Sequence, residues 1–348
     1  MARYTTEAEL TRFTVAVFES LGMAGDYAAA LADVLVWADL RGVDTHGVSR
    51  LTQYVKWAES GVMNVRPQMR AEQISAALLR LHADLAPGPV AMSEALSRLV
   101  PMARDEGIAA AVVGRMTHSG ALGYYTGKAA EQGLACIAFN ASGALIPYHG
   151  SRAAALGTNP ISIAVPGARE PVVFDMASSV ISLGKLMQAR KAGRPLEPGW
   201  AIDADGAATT DAGKAAMVLP LGGAKGSGLS LMIECVASLL SGSPIISEAL
   251  EGSPEGRRHK QNALLVAIDI ARFLPLADFR AEIGRLSAVL KALPLAAGTA
   301  EILLPGERGY RSMGERRAGG VPLADKAVAE LAELAAQRSV PAIRMSDR

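Results

Sequence analysis

Residues 161–174 read Ile-Ser-Ile-Ala-Val-Pro-Gly-Ala-Arg-Glu-Pro-Val-Val-Phe, and they are the part of the chain most informative about its architecture. Two short β-branched runs, at residues 161–165 and 172–174, are joined by a connection that carries a glycine and two prolines. A connection of this composition, with no helical pattern, is typical of neighbouring antiparallel strands. It favours a mixed or antiparallel sheet over a doubly wound parallel one.

The flanking sequence extends this picture in both directions. Strand-like runs at residues 108–113 and 134–139 are separated by one clear crossover helix at about 122–132, and another apolar strand is expected at 263–268. Helical patterns occupy residues 6–21, which open with the capping box Thr6 and Glu9, and residues 26–40 and 323–337. The sequence therefore predicts a non-Rossmann α/β fold of the α+β type. A mixed, largely antiparallel sheet domain (residues 75–300) is joined to a helical domain built from both chain ends (residues 1–74 and 301–348).

Composition and charge exclude several classes of protein. The 348 residues include 35 basic and 34 acidic side chains, a balance that offers no broad basic surface, so no nucleic-acid partner is expected. Cys136 and Cys235 lie in apolar runs and are interpreted as buried, reduced thiols rather than a disulfide or metal pair. No stretch approaches the roughly 18 uncharged apolar residues of a membrane span, and no leader pattern opens the chain. We expect a soluble cytoplasmic protein without a bound metal.

The segment Asp44-Thr-His-Gly-Val-Ser-Arg50 is the first candidate site. If Asp44 or Thr45 caps a helix, His46 and Arg50 stand four residues apart and project from one face. A guanidinium can hold a carboxylate through two hydrogen bonds, and an imidazole can carry a proton near neutral pH. This pair would suit reduction of a 2-oxo acid, although the spacing alone equally describes a histidine at a helix start and a surface arginine.

Two further turns carry polar side chains beside predicted strands. His118 lies in Thr117-His-Ser-Gly120, where the strand at residues 108–113 gives way to a helix. Loops at strand ends often carry working side chains, yet a single histidine there is often a local hydrogen-bond partner. In the turn Gly157-Thr-Asn-Pro160, Thr158 and Asn159 either donate to a substrate oxygen or cap the turn.

A glycine-rich segment and an acidic residue suggest a binding site for an anionic cofactor. Residues 222–228, Gly-Gly-Ala-Lys-Gly-Ser-Gly, open a helix and include Lys225, an arrangement that suits a pyrophosphate or merely permits close packing of helix on sheet. The spacing matches neither a P-loop nor the Rossmann fingerprint. Asp175, just past a strand, either hydrogen-bonds a ribose or nicotinamide amide or caps the next segment. The basic cluster at residues 257–260 is interpreted as a solvated loop.

Taken together, these segments resemble the malate/L-lactate dehydrogenase family of the non-Rossmann type, which also includes ureidoglycolate, sulfolactate, diketogulonate and cyclic-imine carboxylate enzymes. The resemblance covers nearly the whole chain. Its motifs are Arg41-Gly-Val-Asp-Thr-His-Gly-Val-Ser-Arg50, Leu156-Gly-Thr-Asn-Pro160, Val173-Phe-Asp-Met-Ala177, Gly199-Trp-Ala-Ile-Asp-Ala-Asp-Gly206, Leu219-Pro-Leu-Gly-Gly-Ala-Lys-Gly-Ser-Gly228 and Leu304-Pro-Gly-Glu-Arg308.

The resemblance implies hydride transfer between NAD or NADP and a small 2-oxo or 2-hydroxy carboxylic acid, in a homodimer whose active site lies near the subunit boundary. His46 and His118 match the family's two histidines, either of which is the proton carrier. Arg50 matches the carboxylate-binding arginine, and Thr158 matches a residue near the substrate. Family contacts to the dinucleotide fall on Ser142, Asp175, Met176, Ala177, Lys225, Gly306, Glu307 and Arg308.

Departures from the family pattern leave the substrate open. Ala224 precedes Lys225 where many relatives carry an aromatic residue or a histidine, and Ala263 stands where many have a histidine or glutamine. Reduction of a cyclic imine carboxylate, such as piperideine- or pyrroline-2-carboxylate, is therefore the alternative to a hydroxy-acid reaction. A non-catalytic dinucleotide-binding protein is the third reading. Neither NAD nor NADP is favoured by the sequence, and the direction of the reaction in the cell stays open.

Overall fold

The structure is a computed structural model that describes residues 3–347. Its helices and strands alternate along the chain. The helices are α1 (Glu7–Ser20), α2 (Gly25–Leu40), α3 (Leu51–Glu59), α4 (Gly88–Glu106), α5 (Leu122–Glu131), α6 (Leu183–Lys191), α7 (Ala224–Ile233), α8 (Ile246–Leu250), α9 (Leu276–Lys291), α10 (Glu307–Gly319) and α11 (Asp325–Arg338). The strands are β1 (Arg3–Thr5), β2 (Arg70–Ser75), β3 (Leu78–His82), β4 (Ile108–Met116), β5 (Leu134–Ala141), β6 (Ile146–Pro147), β7 (Ala154–Leu156), β8 (Ile161–Val165), β9 (Val172–Met176), β10 (Ala201–Ile202), β11 (Ala208–Thr209), β12 (Met217–Val218), β13 (Gln261–Asp269), β14 (Val321–Leu323) and β15 (Ser346–Asp347).

Seven strands form the central sheet in the order β2-β3-β4-β13-β5-β8-β9. Strands β8 and β9 pair antiparallel, with Val165 opposite Val172, as their short connection predicts. The pair β3 and β4 is parallel, and every other neighbouring pair is antiparallel. The expected mixed, largely antiparallel sheet is therefore confirmed.

Strand β13 lies between β4 and β5, although it comes more than a hundred residues later in the chain. Because it runs antiparallel to both neighbours, its first residues lie beside the last residues of β4 and β5: Gln261 pairs with Met116, and Asn262 with Ala141. Strand β9 also ends at this edge, where Met176 pairs with Ile161. The loops that leave this edge are therefore close in space.

Two large apolar cores correspond to the sheet and to the chain ends. Side chains of the central sheet pack against α4 and α5, with Leu99, Val113 and Leu265 fully buried. The second core is formed by buried residues of α1, α2, α3 and α11, among them Phe13 and Leu334. Thr6 caps α1 by accepting a hydrogen bond from the backbone N–H of Glu9, as its sequence pattern predicts.

Several local expectations differ from the structure. The expected domain boundary at residue 74 falls inside β2, a strand of the central sheet. Helix α10, which is not among the helices expected from the sequence, follows Gly306, and helix α8 precedes the basic cluster at residues 257–260. Between residues 3 and 347, no helix combines the length and apolar composition that spanning a bilayer requires.

Candidate active site

A cavity of about 760 Å³ lies at the sheet edge where β4, β5 and β9 end, and residues between 37 and 57 also line it. Its volume is in the range of small-molecule and cofactor sites. Most of the residues singled out in the sequence line this one cavity: His46, Arg50, His118, Ser142, Thr158, Asp175, Met176, Ala177, Gly306 and Arg308.

Two of the expected cofactor residues do not line it. Lys225 lies in the first turn of α7, outside the cavity. The glycine run before it supplies the positive-φ residues Gly222 and Gly223, which turn the chain into the helix. Glu307 borders a second cavity of about 470 Å³, and its carboxylate pairs with Lys291 at 2.6 Å.

The predicted helix that would present His46 and Arg50 on one face is wrong. The chain instead forms two short 3₁₀ turns, Asp44–His46 and Val48–Arg50, separated by the extended residue Gly47. The buried carboxyl group of Asp39 accepts the backbone N–H of Val48 at 2.8 Å, and a Cβ atom on Gly47 would collide with that carboxyl group. This contact breaks the helix and still leaves both side chains in the cavity.

Arg50 is oriented by its own backbone segment. Its Nε donates to the carbonyl oxygen of Thr45 at 2.6 Å, and the guanidinium lines the cavity. Since that bond uses Nε, the terminal nitrogens remain for a ligand. A guanidinium held in this way presents a planar fork that matches a carboxylate.

The two histidines lie beside each other, with ring centroids 5.3 Å apart. Nδ1 of His46 is 3.0 Å from the hydroxyl of Thr45. Nδ1 of His118 is 2.7 Å from the hydroxyl of Tyr54 and also accepts the backbone N–H of Gly120 at 3.2 Å.

Burial and the neighbouring cation keep both rings neutral. Burial, with a smaller contribution from the charge of Arg50, lowers the pKa of His46 to about 4. Burial also lowers the pKa of His118 well below its usual range, and the nearby His46 and Arg50 add to this effect. An anionic ligand on Arg50 would oppose this effect and favour protonation of an imidazole.

Trp57 and His259 line the cavity, Tyr54 is buried against Trp57, and none of the three is among the site residues expected from the sequence. The ring of Tyr54 is fully buried in α3 and stacks on Trp57 at 5.6 Å between centroids. Trp57 in turn contacts the ring of His259 at 4.3 Å. Tyr54 stands four residues after Arg50, a spacing visible in the sequence, whereas His259 belongs to the distant basic cluster for which the sequence predicts a solvated loop.

Asp175, at the end of β9, anchors the other end of the cavity. Its carboxylate accepts the backbone N–H of Gly123, at the start of α5, at 2.7 Å. Burial raises the pKa of this carboxyl group to about 6. Among the described residues that line the cavity, Asp175 is the only carboxylate, so the remaining charged lining is cationic.

Hydrogen bonds made by the side chain of Asn159 fix the turn that carries Thr158. The side chain of Asn159 accepts the backbone N–H of Ser142 at 3.0 Å and donates to the carbonyl oxygen of Ser230 at 2.9 Å. The carbonyl oxygen of Thr158 accepts the hydroxyl of Ser178 at 3.0 Å, while its side chain faces the cavity. Asn159 therefore has the structural role, and Thr158 is free to meet a ligand.

Arg41 supplies a cation that the sequence reading also left unassigned. Its guanidinium is buried, lies 3.8 Å from the ring centroid of Tyr310 and donates to the carbonyl oxygen of Gly306 at 3.2 Å. Its Nη1 has no hydrogen-bond partner among the described residues. A buried guanidinium nitrogen without a partner, near Arg308 and the first turn of α10, suits the phosphates of a dinucleotide.

Comparison with known proteins agrees with this geometry. The family model described as malate/L-lactate dehydrogenase matches residues 5–332. Malate dehydrogenase from Pyrococcus horikoshii is 34% identical over 336 residues, which cover 94% of this chain and 93% of the relative. Ureidoglycolate dehydrogenase (NAD(+)) from Escherichia coli O157:H7 is 33% identical, covering 82% of each chain. (2R)-3-sulfolactate dehydrogenase (NADP(+)) from Chromohalobacter salexigens is 33% identical, covering 97% and 100%.

Solved structures show the same fold over nearly the full length. The structure of malate dehydrogenase from Pyrococcus horikoshii OT3 has a TM-score of 0.88 at 32% identity, covering 98% of this chain and 97% of that one. The structure of delta1-piperideine-2-carboxylate reductase from Pseudomonas syringae pvar. tomato has a TM-score of 0.83 at 29% identity, covering 95% and 99%. The expected family and fold class are thereby confirmed, and the chain belongs to the malate/L-lactate dehydrogenase family.

Proposed function

We propose that this protein catalyses NAD(P)-dependent hydride transfer between nicotinamide and a small 2-oxo or 2-hydroxy carboxylic acid. One observation carries the proposal: the guanidinium of Arg50 and the neutral rings of His46 and His118 line a single cavity. This reaction requires at least a group that binds the substrate carboxylate and, beside it, a group that transfers a proton. The printed names of the relatives, which include malate and sulfolactate dehydrogenases, support the same reaction class.

Arg50 holds the carboxylate of the substrate. The hydrogen bond from its Nε to Thr45 fixes the guanidinium, so binding costs little side-chain entropy. The bound carboxylate then places a negative charge beside both imidazoles, where it offsets the cationic surroundings that keep them neutral.

We assign proton transfer to His118 and a supporting position to His46. The buried side chain of Tyr54 holds Nδ1 of His118, whereas His46 is held by its sequence neighbour Thr45. A phenolic hydroxyl can donate to the neutral ring and accept from the protonated ring, so Tyr54 serves both states of His118. In reduction the protonated ring gives its proton to the developing alkoxide, and in oxidation the neutral ring takes it.

The residues at the Asp175 end fit a nicotinamide dinucleotide. Arg41 and Arg308 would meet its phosphates, and Asp175 and Ser142 would hydrogen-bond its ribose or amide groups. Gly306, with φ +90°, lets the backbone turn into the first turn of α10, where free N–H groups favour an anion. When bound, the nicotinamide supplies or accepts the hydride. Both NAD and NADP are compatible with these cations.

We also propose a homodimer. Large apolar side chains are exposed along α7 and the π-helical turn that follows it, among them Met232, Leu239 and Leu240 at more than half of their surface. Lys225 begins the same helix, so a second copy docked there would lie close to the residue that the family resemblance assigns to cofactor binding. Sedimentation analysis with Met232→Glu tests the surface: a shift to monomer is expected, and an unchanged assembly would contradict it.

A second candidate function is reduction of a cyclic imine next to a carboxylate. Similarity to the piperideine-carboxylate reductase structure favours it, and Arg50 would hold that carboxylate in the same way. The experiment that separates the two follows the absorbance of reduced nicotinamide with pyruvate, oxaloacetate and piperideine-2-carboxylate, each with NADH and with NADPH. We expect turnover of the oxo acids. Turnover of the imine alone supports the second candidate, and turnover of none overturns both.

A further inference from the structure

Only part of the basic segment at residues 257–260 is exposed to solvent. Lys260 is buried and pairs with Glu248 at 2.6 Å, and Arg258 pairs with Glu255 at 3.1 Å. Immediately after this segment, Gln261 accepts the backbone N–H of Ser119 and the side-chain amide of Asn140. These contacts fasten His259 beside the loop that carries His118.

The side chain of His259 lines the cavity of the proposed active site. Its ring lies against Trp57 with 4.3 Å between centroids and a 30° angle between planes. Trp57 also stacks on Tyr54, whose hydroxyl is 2.7 Å from Nδ1 of His118. His259 is therefore a neighbour of the reacting end of the cavity and not of the end lined by Asp175.

The imidazole of His259 has no hydrogen-bond partner among the described residues. Its Nε2 is shielded from solvent and unsatisfied. Buried polar atoms in native proteins normally have a partner, and because His259 lines the cavity, an occupant of the cavity can supply one. Burial lowers the pKa of this ring, which keeps it neutral with one N–H to donate.

The charges around His259 determine which kind of ligand group is favoured next to its ring. Arg50, His46 and His118 face the same region, the stacking partner Trp57 is uncharged, and the acidic residue of its own segment, Glu255, is engaged by Arg258 and Lys260. No carboxylate of the described lining lies at this end, since Asp175 binds the start of α5. An anionic or strongly accepting group is favoured there and a cation is not.

We propose that His259 is a specificity-determining residue that donates a hydrogen bond to an acidic group at the end of the substrate remote from the carboxylate held by Arg50. The substrate class is then a 2-oxo or 2-hydroxy acid with a second acidic group, as distinct from a simple monocarboxylate. This inference rests on the proposed function, because it takes Arg50 as the clamp for the first carboxylate. The contact of the His259 ring with Trp57 fixes the position of the imidazole N–H donor.

The test compares oxaloacetate with pyruvate in the wild type and in two His259 variants. His259→Phe keeps an aromatic ring against Trp57 and removes the donor, while His259→Asn keeps a donor. We expect His259→Phe to lower kcat/KM for oxaloacetate about tenfold and to change that for pyruvate less than about twofold, with partial recovery in His259→Asn. Arg257→Ala, an exposed position in the same segment, is the matched control and is expected to change neither.

Each outcome bears on the inference separately from the proposed function. If the wild type reduces oxo acids but His259→Phe lowers both substrates equally or neither, the specificity role is wrong and the proposed function stands. A wild type that prefers pyruvate to oxaloacetate also overturns the role. If the wild type reduces no oxo acid with either coenzyme, the proposed function fails and the inference fails with it. Thermal unfolding of each variant separates loss of the fold from loss of the contact.

Discussion

The hydroxyl of Tyr54 lies 2.7 Å from Nδ1 of His118, although the two residues are 64 positions apart in the chain. Tyr54 is fully buried, and burial raises the pKa of its hydroxyl well above the usual range, so the hydroxyl stays protonated across the physiological range. A protonated hydroxyl is both donor and acceptor, and it can follow the ring through its two protonation states.

Replacing Tyr54 by Phe removes that partner and keeps the aromatic ring in place. We expect kcat to fall about tenfold with little change in KM, because the hydrogen bond acts on the proton carrier and not on the substrate carboxylate. Steady-state kinetics with a good oxo-acid substrate provides the measurement. Tyr27→Phe, a substitution outside the cavity on α2, is the matched control. A change in KM alone would argue that Tyr54 binds substrate directly.

Alanine substitutions distinguish the two histidines. A positioned acid-base group contributes on the order of a hundred- to ten-thousand-fold in rate, so His118→Ala should lower kcat by that amount. His46→Ala should cost less, because its ring supports the site without carrying the proton. Rates in both directions are to be measured at fixed pH. If His46→Ala lowered kcat more than His118→Ala, His46 would be the proton carrier. If both variants kept nearly full activity, neither histidine would carry the proton.

The pH dependence follows from the neutral state of the rings. Because the pKa of His118 is lowered and that of His46 is about 4, the form that accepts a proton predominates at neutral pH. We expect kcat/KM for oxidation to stay level as the pH falls from about 8 to about 6, and kcat/KM for reduction to rise over the same range. Profiles of kcat/KM report the free enzyme, which is the state described here. Oxidation that is already half lost near pH 7 would contradict the assignment.

Arg50→Lys tests the carboxylate clamp. A lysine keeps the charge but cannot form two parallel hydrogen bonds or the Nε bond to the carbonyl oxygen of Thr45. We expect KM for the oxo acid to rise about tenfold or more, with a smaller effect on kcat. Arg98→Lys, on the exposed side of α4, provides the control. An unchanged KM would remove Arg50 from carboxylate binding.

Gly47→Ala tests the contact that shapes the site. The added Cβ would collide with the carboxyl group of Asp39, which is buried and accepts the backbone N–H of Val48. Forcing an extra group into a packed interior costs about 1–3 kcal/mol in the free energy of unfolding. Gly314→Ala is the matched control, because its Cβ would meet open space within α10, and it should stabilise the protein by up to about 1 kcal/mol. Denaturant unfolding of both variants gives the comparison.

Much of the fold and of the candidate site was predictable because the signals are local. Short β-branched runs and Gly- or Pro-containing turns mark strands β8 and β9, and apolar periodicity marks α1, α2 and α5. His46 and Arg50 line one cavity, although the helix that their spacing predicted is not formed. Gly47 interrupts the helix that their spacing suggested.

What the amino-acid sequence determined by itself is the family, the order of its motifs and the residue types that carry the chemistry. The tertiary structure alone decided that β13 enters between β4 and β5, that Asp39 shapes the turn at Gly47, and that His259 reaches the wall of the cavity. The physical reason is the distance along the chain over which each interaction acts. Propensity and periodicity act over a few residues along the chain, whereas these contacts join segments that are distant in sequence and form only when the whole core packs.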